Sequence, residues 1–319
     1  MPIQTFSRRL DLSVPADFVL HRAVMGHGWF DLPPFLWEMD PGRLTLPLRL
    51  PDAGPVVARV GRPSGRRDVL RLELQSRRLL TRADLASARK QVAHVLRLDE
   101  NLSAFHVQAD RIGLPDLTWV RTTGAGRLMR SPGVFEDLVK MIATTNCTWA
   151  LTRVMVRALV QHLGDEAPGG VRLFPTPAAM AAVRSAFYRD VARAGYRGEA
   201  LRGLARDVAA GRLDPESWLD PARPTPDIRK EILSVRGAGP YVADNMLKLL
   251  GRYDGLGIDS WCRRKFSQMH AAGRKVTDRR IERFYAPFGT WRGLALWCDI
   301  TRDWFEEGSP REKFAQADY

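Results

Sequence analysis

Cysteine is scarce, with only Cys147, Cys262 and Cys298 among 319 residues, too scattered for a disulfide framework or for zinc or iron–sulfur ligand spacing. The six histidines contain no HExxH pair, so no metal held by side chains is expected. No apolar run reaches the roughly 18 residues of a membrane span, and no membrane partner is expected. The N-terminal MPIQTFSRRLDL carries charge where a signal peptide would have its apolar stretch, so a cytoplasmic protein is expected. Lysine is rare too: of the 49 Lys and Arg residues, only those at 90, 140, 230, 248, 265, 275 and 313 are lysine. That matters for chemistry, because lysine can form a Schiff base whereas arginine stays protonated.

What is abundant points to a packed, basic protein. Hydrophobic residues make up 45%, with nine Trp and thirteen Phe, which excludes a disordered chain, and the length suggests two or three packed units. The net charge of +13 is compatible with a polyanionic partner, although arginine-rich genomes also raise it. Residues 1–120 read as an α+β domain with an antiparallel sheet. Leucines alternate in LTLPLRL (Leu44, Leu46, Leu48, Leu50) and in VLRLELQ (Leu70, Leu72, Leu74) as in half-buried strands, turns fall at Asp52-Ala53-Gly54-Pro55 and Pro63-Ser64-Gly65, and Thr81 can cap a helix through LASARKQVAHVL. Residues 121–319 read as all-α, opening with Ser131 as a candidate N-cap and Pro132 in the first turn. Further helices are expected over 148–163, 177–193, 197–210, 226–235, 240–250, 260–270 and 278–306.

The stretch 226–266 is the most informative. Ile228 and Ile232 lie one turn apart on a first helix, Gly237-Ala238-Gly239 makes a tight turn, and Pro240 opens a second helix with Val242, Met246 and Leu249 on one face. Backbone N–H groups at such a hairpin and helix N-terminus can hold a DNA phosphate without reading bases. Alone, a GxG link between helices is equally an ordinary turn. Likewise, Asp259 before SWCRRKF is by itself an ordinary helix N-cap.

Taken together, VRGAGPYVAD (235–244) and GIDSW (257–261) resemble the helix-hairpin-helix DNA glycosylases, with Arg236 where that family usually has proline. RSPGVFEDLVKMIATTNCTWA, GYRGEALRGLARDVAAGRL and YAPFGTWRGLALW resemble further segments of the family in the same order. VLRLDENLSAF (95–105) resembles the end of the N-terminal domain in its 8-oxoguanine and 3-methyladenine type II branches. The resemblance implies that Asp259 is the catalytic carboxylate, stabilising the oxocarbenium character that develops on deoxyribose as the base leaves. It implies DNA contacts at Gly237, Ala238, Gly239, Tyr241 and Asn146, the last filling the gap left by a flipped base, although an exposed Asn at a helix end is as ordinary. Around the base pocket it places Tyr241, Asn245, Leu296 and Ile300. Trp29, Phe30, Trp149 and Trp261 join them as aromatic candidates, with Trp291 and Trp297 behind, most such aromatics being core.

Tyr241 stands where strand-cutting members carry an imine-forming lysine, and Lys248, two turns further on, is about 10 Å away by helix rise. A monofunctional enzyme is therefore expected, a monomer acting on a modified base in duplex DNA of the nucleoid. It needs no organic cofactor, with a monovalent cation at the hairpin carbonyls as the one ion the resemblance allows. An alkylated purine is favoured, because cation–π attraction to Tyr241 would add about 0.5–2 kcal/mol. An oxidised base, a hypermodified viral pyrimidine and a non-catalytic damage-binding module are the alternatives.

Overall fold

The computed structural model describes residues 4–305. Five strands, β1 (Phe6–Ser13), β2 (Leu36–Glu38), β3 (Arg43–Leu50), β4 (Gly54–Gly61) and β5 (Val69–Ser76), form one antiparallel sheet in the order β1-β5-β4-β3-β2. The alternating leucines of β3 and β5 are all buried on the core face, as a period of two requires. At its centre the sheet is not half-buried as expected. Val57 of β4, opposite Pro47, packs against Ala167 and Leu173 from the middle of the chain, so both faces are covered there. Val56, Val57 and Ala58 are consequently buried in succession, which hides the alternation of β4.

The helices are α1 (Leu20–Met25), α2 (Arg82–Leu96), α3 (Ser103–Ile112), α4 (Thr118–Thr123), α5 (Val134–Ala143), α6 (Trp149–Leu163) and α7 (Pro177–Ala182). They continue with α8 (Arg197–Ala209), α9 (Thr225–Ser234), α10 (Pro240–Leu249), α11 (Ser260–His270), α12 (Asp278–Tyr285) and α13 (Arg292–Ile300). Thr81 caps α2 in a full capping box, and the Asp84 carboxylate of that box also accepts the Asp52 and Ala53 amides of the β3–β4 turn. Ser131 is not a cap. Its N–H donates to Asp137 and its hydroxyl accepts from the buried Lys140 ammonium, so α5 starts later, at Val134 after Gly133. The helix expected over 177–193 stops at Ala182, because Tyr188 Oη donates to Met180 O and Arg202 donates to Val183 O and Ser185 Oγ, pulling the chain out of register. The one expected over 278–306 divides at Pro287, which lacks an N–H, and Gly289, with φ of 55°.

One contiguous core runs through both halves of the chain. Arg97, in the left-handed conformation that ends α2, ties the N-terminal half to α10. Its guanidinium donates to Leu249 O (2.6 Å), Tyr253 Oη (3.1 Å) and the Glu100 carboxylate, and Arg130 donates to the same Leu249 carbonyl. The last carbonyl of α10 is thus capped from outside the helix, which helps to fix where its N-terminus points.

Candidate active site

α9 and α10 meet at the expected glycine hairpin, with Ile228, Ile232, Val242, Met246 and Leu249 buried between them and the core. Only one of its glycines is required by the fold. Gly237 has φ of +86°, and a Cβ there would lie 2.9 Å from the Cβ of Ala200 on α8. Gly239 is ordinary extended backbone with open space around its α-carbon. Ala238 turns its methyl inward and donates its N–H to Val235 O, so the amide expected to meet DNA there is committed within the hairpin. Gly237→Val is therefore expected to lower the melting temperature markedly. Gly239→Val should leave it nearly unchanged while weakening binding to all duplex sequences alike, since a side chain would fill the approach to the first amides of α10. Thermal melts and duplex titrations of both variants check this; equal destabilisation by both would be the contrary result.

Asp259 is the N-cap of α11: its Oδ1 accepts the Cys262 N–H at 2.7 Å, so the capping role and a chemical one coexist in one residue. Burial raises its pKa above the usual carboxylate value, opposed by the Cys262 amide and the charges of Lys248 and Arg263. The carboxylate faces a cavity of about 780 Å³ walled by α5, α6, α10, α11, α13 and the segment 27–29. Tyr241, Asn245, Trp149, Trp261, Leu296, Ile300 and Trp29 all line this cavity, so the sequence brings these expected residues together with Asp259. Burial and the nearby Asp259 charge keep the Tyr241 phenol protonated by pushing its pKa up.

Two aromatic candidates are elsewhere. Phe30 is buried in the core beside Trp29 in sequence but does not reach the cavity. Trp291 stacks on Tyr253 at 5.4 Å, inside the packing around Arg97, whereas Trp297 does line the cavity. Asn146 is not a lining residue. It is exposed on the α5–α6 turn with φ of 47°, donating to Tyr196 Oη, between Thr144, Cys147 and Thr148 that edge the opening. Its position at the edge is that of a side chain able to enter a duplex, while its left-handed backbone is a conformation asparagine tolerates better than most residues.

Two residues of the cavity were not foreseen in this role. Lys248 and His27 form its floor. Asn245, in contrast, has its amide committed: Nδ2 donates to Tyr241 O (2.9 Å) and Oδ1 accepts from Lys248 Nζ (3.0 Å). A lysine inside the otherwise apolar MLKLL was the available signal for Lys248. Nothing local marks His27, which reaches the site through the N-terminal half.

Indole hydrogen bonds hold the walls in place. Trp149 Nε1 donates to Asp31, Trp297 Nε1 to Gly26 O and Trp29 Nε1 to the buried Asp137. The cavity thus has rigid aromatic sides, a carboxylate held at a helix N-terminus and a neighbouring glycine hairpin that opens α10. That combination can stack a planar group and stabilise positive charge on an atom attached to it.

No protein-family model matches the chain. It is similar to the Bacillus subtilis (strain 168) protein YfjP, described provisionally as a DNA-3-methyladenine glycosylase, with 22% identity over 224 residues, 68% of this chain and 76% of that one. Its structure is similar to the 3-methyladenine DNA-glycosylase from Archaeoglobus fulgidus, at a TM-score of 0.71 and 19% identity over 94% of this chain and 99% of that one. It is also similar to the apo-form of the Clostridium acetobutylicum 8-oxoguanine glycosylase/lyase, at a TM-score of 0.64 and 14% identity over 86% and 93%. Likeness across nearly the whole of these chains, with the hairpin and the capping aspartate in the order the sequence motifs imply, identifies the architecture: the chain has the helix-hairpin-helix DNA glycosylase fold.

Proposed function

We propose that the protein is a monofunctional DNA N-glycosylase, acting as a monomer on a modified base flipped out of duplex DNA, with Asp259 as the catalytic carboxylate. The observation that carries this reading is the placement of Asp259, a half-buried carboxylate on the wall of an aromatic cavity large enough for a base. Extruding the base costs a few kcal/mol, which stacking between aromatic walls and insertion of Asn146 into the gap would offset. With the base seated, Asp259 stabilises the sugar cation and orients water toward it. The hairpin holds one phosphate and fixes the register without reading sequence.

Tyr241 supports the monofunctional part. Its phenol lies beside the Asp259 charge, where an amine would be needed for imine formation, and it is held protonated. The expected product is an intact abasic site, with no covalent adduct after borohydride reduction. Incubating the wild-type protein with duplexes carrying single modified bases, with and without borohydride, tests both statements. A trapped adduct would contradict the monofunctional reading, and tight binding with no release of any base would favour the damage-binding module. A monovalent cation at the hairpin would rest on backbone carbonyl oxygens, donors that suit a hard ion. No cluster of three or more His, Cys, Asp or Glu among the described residues offers another metal site. The aromatic walls suit stacking of an alkylated purine and of other modified bases alike; the polar floor discriminates between them.

A further inference from the structure

We propose that Lys248 and His27 read the base, admitting a neutral base that carries a carbonyl oxygen and disfavouring a positively charged, alkylated one. This rests on the glycosylase reading and names the substrate class of the same site. Lys248 is 3% exposed yet lines the cavity. Its Nζ donates to Asn245 Oδ1 (3.0 Å) and Leu256 O (2.6 Å), which commits two of the ammonium's three N–H groups and leaves one for a ligand. The stem passes close to α13, where a Cβ on Gly293 would lie 3.1 Å from Lys248 Cε, after the nearer carbonyl oxygens of Gly255 and Tyr253. Lys248 Nζ and the His27 ring both lie against the same indole, Trp297, at 5.9 Å and 5.2 Å.

His27 supplies the second half of the reading. Burial, then the positive charges of Lys248, Lys140 and Arg97, push its pKa down to about 3, so its imidazole is neutral. Its Nδ1 is buried and has no hydrogen-bond partner among the described residues. A neutral imidazole nitrogen accepts or donates according to tautomer, so it can meet the N–H or the lone pair beside a carbonyl. An unpartnered buried polar atom is unfavourable until something satisfies it, and in a residue that lines the cavity a small turn of the ring would bring Nδ1 to a ligand. Lys248 therefore offers a donor to a carbonyl oxygen and His27 a complementary contact to the adjoining ring nitrogen.

Charge argues the same way. The other charged groups on the wall are Asp259, Arg264, Lys265 and Asp303, the last two ion-paired at 2.7 Å, so the wall as a whole is not negative. Burial lowers the Lys248 pKa to about 8, which leaves the amine protonated at neutral pH, so a cationic base on this floor would meet like-charge repulsion that opposes the cation–π attraction of the aromatic walls.

The test compares release of 8-oxoguanine, hypoxanthine and uracil with release of 7-methylguanine from otherwise identical duplexes, by the wild-type protein and by Lys248→Met. The wild type is expected to release at least one neutral base about tenfold or more faster than 7-methylguanine, and Lys248→Met to shrink that ratio by about tenfold. His27→Phe should slow release of the neutral base without speeding that of 7-methylguanine. Lys248→Gln, which keeps a donor but not the charge, replaces Lys248→Met if melting shows that variant unfolded, and is expected to shrink the ratio too. Faster release of 7-methylguanine by the wild type, or a ratio that folded Lys248 variants leave unmoved, overturns the inference while the glycosylase reading stands. Release of no base at all sinks the glycosylase reading instead, and duplex affinities then decide: a preference that moves toward 7-methylguanine in the Lys248 variants supports the floor's role, and an unmoved one overturns it.

Discussion

Asp259→Asn is expected to lower base release by at least about a thousandfold while duplex affinity stays within about tenfold, because the carboxylate's charge matters chiefly in the transition state. Asparagine retains the oxygen that accepts the Cys262 N–H, so α11 stays capped and the loss reports chemistry rather than folding. The same substitution should raise stability at neutral pH. Burial lifts the folded-state pKa of Asp259 above its unfolded value, so the native state holds that proton more tightly and stability falls as pH rises through the interval between the two. Above that interval the ionised carboxylate is a standing cost that asparagine removes. For the same reason the acid limb of kcat/KM in the wild type should lie above the ordinary aspartate range, activity being lost as pH falls through the raised value. Single-turnover release, duplex titration and melts at pH 4 and pH 7 measure all of this. Substantial activity in the variant would remove Asp259 from the mechanism.

Arg97→Ala is expected to destabilise the protein by about 3–5 kcal/mol, the usual result of breaking a buried ion pair from one side. The guanidinium is 5% exposed and its Glu100 partner 10%. Removing it would leave that buried carboxylate without its paired charge and take one donor each from the Leu249 carbonyl and Tyr253 Oη. The Arg97 charge is the main influence holding the Glu100 pKa down against burial, so this pair stabilises the fold above the unfolded pKa of glutamate and loses that effect as pH falls through the depressed folded value. Urea titration gives the difference. Arg97→Met combined with Glu100→Leu should recover part of it, since two apolar groups leave no buried charge unpaired. A loss below about 1 kcal/mol would mean that Arg130, which shares the Leu249 carbonyl, suffices alone.

Much of the site was legible because its parts are local. The hairpin is spelled by glycine and proline within five residues, and Asp259 sits at a helix start that the sequence marks. Strands β3 and β5 and the Thr81 cap were legible for the same reason: alternation and capping are properties of a few consecutive residues. What was not legible depends on partners far along the chain. The alternation of β4 is hidden because residues 167–173 cover its second face, and the helix over 177–193 is cut by hydrogen bonds from Arg202. Gly237 and Gly239 look alike in the tight turn that the sequence spells, but only Gly237 is pressed against Ala200, a neighbour no local pattern reveals. Lys248 seemed remote when measured along the axis of α10, since helix rise says nothing of a side chain laid across a glycine on another helix. His27 and Trp29 reach the cavity from the opposite half of the fold, and Phe30 differs from Trp29 only in which way its ring turns.

The three indole hydrogen bonds that cross between the halves, from Trp149 to Asp31, from Trp297 to the Gly26 carbonyl and from Trp29 to Asp137, make the cavity a seam rather than a hollow within one unit. Neither side of a seam is complete alone. A helical fragment starting after the sheet would keep Asp259, Tyr241 and the hairpin, every residue a motif search would select, yet would lack the wall of His27, Gly28 and Trp29 and would leave two tryptophans without acceptors. On the proposed glycosylase reading the N-terminal half would share in recognising the base, and variation in residues 26–31 should then retune which bases fit as directly as variation around Asp259.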